Sequence, residues 1–91
     1  MIGVKADSGV TVRDVSPHAY GRLKERGVSV DGIVQALTSP LEITKIREDK
    51  SRRFIGEHIT ATANVETGKL ITVWATGEDK RDRLKRKRGL L

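Results

Sequence analysis

Residues 16–40 read SPHAYGRLKERGVSVDGIVQALTSP, and this stretch holds two helix starts, two helix stops and one apolar stripe. Ser16 can cap free amides, and Pro17 at the first helical position loses only an N–H that had no partner. A helix is therefore predicted from Pro17 to Arg26, with Gly27 ending it by supplying the left-handed backbone common at helix termini. Ser29 starts a second helix, with Val28 and Ile33 at the spacing of a hydrophobic staple. Val30, Ile33, Val34 and Leu37 fall at i, i+3, i+4 and i+7, which is one face of that helix, and Thr38-Ser39-Pro40 closes it. The two helices are expected to form a hairpin.

Beyond Leu41 the apolar period changes to two and β-branched residues become frequent, which predicts strands. The extended runs are Leu41–Arg47, Arg52–Val65 and Leu70–Thr76, separated by a charged turn at Glu48–Ser51 and a hairpin turn at Glu66-Thr67-Gly68-Lys69. In the long run Ile55, Ile59, Ala61, Ala63 and Val65 alternate with Arg52, His58, Thr60, Thr62 and Asn64. Ile71, Val73 and Ala75 are then expected to face the helices, leaving Thr72, Trp74 and Thr76 beside the threonine row. Ahead of the helices, residues 1–15 contain a weak edge-strand pattern in Val10, Val12 and Val15. The expected fold is α+β: two N-terminal helices packed on one face of a small antiparallel sheet of three or four strands, then a basic C-terminal segment.

At 91 residues the chain is read as a single domain, 1–91. Hydrophobic residues at 36% against 33% charged make it polar but still capable of a core. The absence of cysteine excludes a disulfide scaffold, a thiolate nucleophile and a Cys-ligated zinc. No apolar run approaches the roughly 18 residues of a membrane span, so no membrane anchoring is expected. Met1–Val10 lacks the layout of a signal peptide. The net charge of +6 is local: Lys80–Arg88 holds seven Lys/Arg and one acid, Asp82, while basic and acidic residues balance elsewhere. Residues 80–91 are read as a basic tail, of the kind that engages phosphate or an acidic protein, with Lys85 and Arg86 as its phosphate contacts.

Three features bear on chemistry. In the first helix His18, Arg22 and Arg26 recur every four residues and so lie in one row; two guanidinium forks beside an imidazole suit a phosphate and a proton transfer. The polar sheet face offers His58, Thr60, Thr62, Thr72, Trp74 and Thr76, with Arg52 and Arg53 near its end: hydroxyls and cations for phosphate and ribose, an indole for a base. The basic segment is the third. The two histidines lie 40 residues apart and the carboxylates are scattered, so no metal or cofactor is expected. Metal-independent phosphate chemistry points to RNA, whose 2′-hydroxyl can attack its own phosphate once a base takes the proton.

The string Ser16-Pro17-His18-Ala19, Arg22-Leu23, Glu25-Arg26-Gly27-Val28-Ser29, Ile33, Ala36-Leu37 and Pro40, with Asn64-Val65-Glu66-Thr67-Gly68-Lys69-Leu70-Ile71-Thr72-Val73-Trp74, covers about half the chain. It resembles the small ribonuclease toxin domains of the barnase/EndoU/colicin D/RelE-like superfamily, in particular the C-terminal toxins of contact-dependent inhibition and other polymorphic-toxin systems. The resemblance implies a metal-independent endoribonuclease, often acting on tRNA, and by position it implicates His18, Arg22, Arg26 and Thr72, with Arg52, Arg53 and Trp74 on the strands. It further implies action in the bacterial cytoplasm after delivery as the C-terminal part of a larger secreted or cell-surface protein, residues 1–15 being the junction. A cognate immunity or antitoxin protein, physically an acidic one, is the implied partner. From the residues alone two other readings stay open: an RNA-binding module that does not cut, and a scaffold that docks an acidic protein by its basic end.

Overall fold

Ser16 Oγ accepts the Ala19 amide at 3.0 Å and Pro17 occupies the first helical turn, so α1 (Pro17–Arg22) starts where its residues dictate. The computed structural model describes residues 2–25 and 27–90. α1 is shorter than its expected reach to Arg26. After Gly21, a poor helix former, the amides of Leu23, Lys24 and Glu25 donate three residues back rather than four. The tightened turn then reverses at Gly27, whose φ of 84° requires the freedom of glycine. α2 (Val30–Thr38) begins at Ser29, whose Oγ accepts the Gly32 amide at 3.1 Å. It buries Ile33, Ala36 and Leu37, while Val30, expected in the same stripe, is 45% exposed at the helix start.

Among the described residues five strands form one sheet in the order β1-β5-β4-β3-β2: β1 (Asp14–Val15), β2 (Glu42–Ile43), β3 (Ser51–Ile55), β4 (Ile59–Asn64) and β5 (Lys69–Ala75). All neighbours are antiparallel except β1 and β5. Two strands more than the minimum arise locally. The run Arg52–Val65, expected to be continuous, folds back at Gly56-Glu57-His58, where the Gly56 amide donates to the Ile59 carbonyl at 2.9 Å. A Cβ on Gly56 would lie 2.8 Å from Ala36, and one on Gly32 would lie 2.6 Å from the Ile59 side chain, so these glycines let α2 approach the sheet.

The fold-back changes which residues face inward. Phe54 pairs with Ala61 and Ala61 with Val73, and all three are fully buried. Ile55, one residue on, belongs to the opposite face with Thr60 and Trp74. Between Thr62 and Ala63 the register to β5 slips, so Ala63 meets Leu70. Leu70 is consequently buried, and Ile71, expected inside, is half-buried. The core cluster joins Phe54, Ile59, Ala61, Ala63, Leu70 and Val73 of the sheet to Ala19, Ile33 and Leu37 of the helices and to Ala6 and Val12 ahead of β1.

The basic C-terminal segment, expected as a tail, is largely the helix α3 (Glu78–Lys87). Glu78 and Asp79 in its first turn and Lys85, Arg86 and Lys87 in its last match the helix dipole at both ends. Leu84 is its buried residue; Lys85 Nζ pairs with Glu57 at 2.7 Å, and Arg88 Nη1 donates to the carbonyls of Pro40 and Leu41. Among the described residues no helix is long and apolar enough to cross a membrane.

Candidate functional site

Alternation along β3, β4 and β5 places Arg53, Thr62 and Thr72 in one row across the face opposite Phe54, with Ile55, Thr60 and Trp74 in the next. Threonines on the middle strand leave room for long side chains on its neighbours to meet over it. Arg53 and Trp74 do so: the guanidinium carbon stands 5.0 Å from the centroid of the indole, a cation–π contact of about 0.5–1 kcal/mol at an open site.

Arg53 borders two concavities. One, of about 270 Å³, is lined by Thr44, Lys45, Arg47, Arg53 and Thr62. The other, of about 50 Å³, is lined by Arg53, Ile55, Thr60, Trp74, Thr76, Gly77 and Lys80. In the smaller one the hydroxyls are committed, since Thr76 and Thr60 bond each other at 2.9 Å and Thr76 donates to the Gly56 carbonyl. Thr44 is brought to the larger by the β2–β3 connection: its Oγ1 accepts the Arg53 amide at 3.0 Å, and its own amide donates to the Arg53 carbonyl.

The residues singled out from the sequence are distributed over the molecule. Arg53, Trp74 and Thr72 share the open face, and Thr62 lies between the two strands that carry them. Arg52 points to the other side, where its Nε donates to the Thr44 carbonyl at 2.7 Å. His58 is exposed in the β3–β4 turn, and its carbonyl accepts the Thr76 amide. Lys85 is paired with Glu57, whose carboxyl is held below its ordinary range first by the Lys85 hydrogen bond and then by that residue's charge; Arg86 is exposed on α3.

The helix row has a different character. Arg22 Nε donates to the Val73 carbonyl at 3.0 Å and Nη1 to Glu25 at 2.8 Å, so this guanidinium closes the outer edge of β5 where β1 has ended. His18 is exposed on the first turn of α1, and Arg26 lies outside the described residues.

Thr44, Lys45, Arg47 and Lys80 were not singled out from sequence as site residues. The signal was present in Lys45 and Arg47, two cations at strand spacing directly ahead of a turn, but their convergence on Arg53 depends on the β2–β3 pairing. No group of three or more His, Asp or Glu side chains converges as a metal site among the described residues. No family model, curated protein or solved structure matches this chain.

Proposed function

We propose that the open face of the sheet binds single-stranded RNA and that the chain cuts it without metal, as an endoribonuclease. The observation that supports this best is Arg53 packed on Trp74 in a face carrying threonine hydroxyls and bordered by cations. A guanidinium fork suits phosphate oxygens, an indole suits a base, and Thr62 and Thr72 suit a ribose.

RNA supplies its own nucleophile. A base takes the 2′ proton, the 2′-oxygen bonds to the adjacent phosphorus, the bond to the 5′-oxygen breaks, and an acid protonates the departing oxygen. The products are a 2′,3′-cyclic phosphate and a 5′-hydroxyl. Arg53 would hold the charge that grows on the phosphoryl oxygens. The proton transfers fall to the two imidazoles, His58 in the β3–β4 turn and His18 on α1, both exposed. α1 packs on the face of Phe54, opposite Arg53, so the role of His18 rests on the toxin-domain resemblance, which also adds Arg22 and Thr72. The same resemblance favours tRNA as substrate and a cognate immunity protein, and an acidic one covering the arginine row of the first helix and the basic C-terminal segment suits the charge.

A second reading, binding without cleavage, is favoured by one observation: Arg22 is committed to Val73 and Glu25 rather than free. The test is incubation of the chain, and of its His18→Ala, His58→Ala and Arg53→Ala variants, with total bacterial RNA in excess chelator. Discrete fragments ending in cyclic phosphate are expected from the parent, with strong loss in Arg53→Ala and in at least one histidine variant. Intact RNA from folded protein that still binds it would establish the second reading instead.

A further inference from the structure

The concavity of about 270 Å³ beside Arg53 is lined by cations and hydroxyls. Lys45, Arg47 and Arg53 line it together with Thr44 and Thr62, and no carboxylate does. Ion pairs among the described residues hold Arg22, Lys50, Arg81, Lys85 and Lys87, and none of the three lining cations is among them. The nearby acids are directed elsewhere. Asp49 accepts the amide and the hydroxyl of Ser51 at 3.0 and 2.6 Å, and with Glu48 it lines a separate hollow on the other side of Arg47.

Asp49, hydrogen-bonded to Ser51, is a carboxylate whose charge reaches Arg47; three cations against that charge still repel one another, and an anion that enters relieves that repulsion. The magnitude of the charge matters. An internal phosphodiester brings one negative charge, whereas a terminal phosphomonoester brings about 1.5 to 2 at neutral pH together with three acceptor oxygens. Lys45, Arg47 and Arg53 supply the donors for those oxygens, and the Thr44 and Thr62 hydroxyls add neutral ones. The geometry around Arg53 gives the site a second element. Its guanidinium carbon stands 5.0 Å from the centroid of the Trp74 ring, a contact that orders the fork before ligand arrives, so less side-chain entropy is lost on binding.

We propose that the concavity lined by Thr44, Lys45, Arg47, Arg53 and Thr62 binds the phosphomonoester terminus of an RNA strand, with Trp74 as a positioning residue that orients Arg53. This rests on the reading of the open face as an RNA surface. The strand then leaves the concavity over Arg53 and Trp74 toward Lys80 at the start of α3, which lines the smaller concavity with them.

The experiment uses the full chain and a 2′-O-methyl RNA oligomer that cannot be cleaved, dye-labelled, in three forms: 5′-phosphate, 3′-phosphate and hydroxyl at both ends. Binding is followed by anisotropy, and inorganic phosphate is titrated separately against the fluorescence of Trp74, the chain's single tryptophan. One phosphorylated form is expected to bind about tenfold more tightly than the hydroxyl form, the size of one charge-assisted contact. Lys45→Ala and Arg47→Ala, both at exposed positions, are expected to bring that ratio close to one. Trp74→Ala is expected to reduce the ratio and Trp74→Phe to restore it, which a merely structural role on the sheet would not produce. Equal binding of all three forms overturns the terminal-phosphate site and leaves the RNA surface standing. Failure of every oligomer to bind overturns both readings, and a saturable response to inorganic phosphate in that case assigns the concavity to a free anion instead.

Discussion

The two faces of β3, β4 and β5 are made by adjacent residues and have opposite fates. Phe54, Ala61 and Val73 lie under the helices with no exposure, whereas Arg53, Thr62 and Thr72, each a single residue away, remain half-buried on the far side. The first face is closed by shape: one large ring on β3 fills the space left by alanines on β4, and Gly32 lets α2 come down on Ile59. The second is covered at one end only, by a helix that brings a single buried leucine and a set of ion pairs. Stability is thus concentrated on one side of the sheet and accessible chemistry on the other.

The sharpest way to break this comparison is to cut into each face at neighbouring positions. Phe54→Ala leaves a cavity in the closed face and is expected to cost about 3–5 kcal/mol in urea unfolding followed by circular dichroism, which for a domain this small approaches complete unfolding. Arg53→Ala on the open face forfeits its cation–π contact and is expected to cost less than about 1 kcal/mol, while RNA binding falls. Equal destabilisation by the two substitutions would mean that the faces do not divide stability from function.

Between those extremes lies Leu84, 6% exposed and the apolar anchor of α3. Leu84→Ala is expected to cost about 2–3 kcal/mol, the lower part of the range for buried leucine, provided α3 unfolds with the rest of the domain. Hydrogen exchange distinguishes the cases. If α3 amides exchange faster while those of β4 are unchanged and the unfolding midpoint stays fixed, α3 is a separable cover rather than part of the cooperative unit.

What could be read from the sequence follows from how local its determinants are. The caps at Ser16 and Ser29 and the stripe of Ile33 and Leu37 depend on residues within a turn or two, and the structure places them there. Strand facing was less legible. Period-two alternation carried through Gly56 treats Arg52–Val65 as continuous and sets Ile55 with Ile59 and Ala61, yet the fold-back moves Ile55 to the opposite face and puts Phe54, which that alternation leaves unassigned, in the core, and the slip at Thr62/Ala63 exchanges Leu70 for Ile71. α3 is not legible as a helix because nine of its ten residues are charged, six of them basic, and its one apolar residue, Leu84, makes no periodic pattern. The polar face with Trp74 was visible as a row, but its meeting with Arg53, Lys45 and Arg47 depends on pairing among β2, β3, β4 and β5, which is long-range information.

The smallest effect expected concerns the polar fastening of α3. Lys85 bonds the Glu57 carboxylate and lowers its pKa, so the folded state favours the ionised acid more than the unfolded chain does. A depressed carboxyl contributes stability that is fully present above its ordinary value of 4.5 and is lost as pH falls through the lower folded value. Raising the pH from that acidic range toward neutrality should therefore slow exchange of the α3 amides beyond the chemical trend of free peptides. Glu57→Gln should remove the extra protection at neutral pH and match the parent once Glu57 is protonated. High salt should shrink the difference between the two proteins at neutral pH, because at about 1 M the screening length falls to about 3 Å. If parent and variant keep the same α3 protection across the whole pH range, the helix is held by Leu84 and the Arg88 contacts to Pro40 and Leu41, and the open face ends at a fixed wall rather than one fastened by charge.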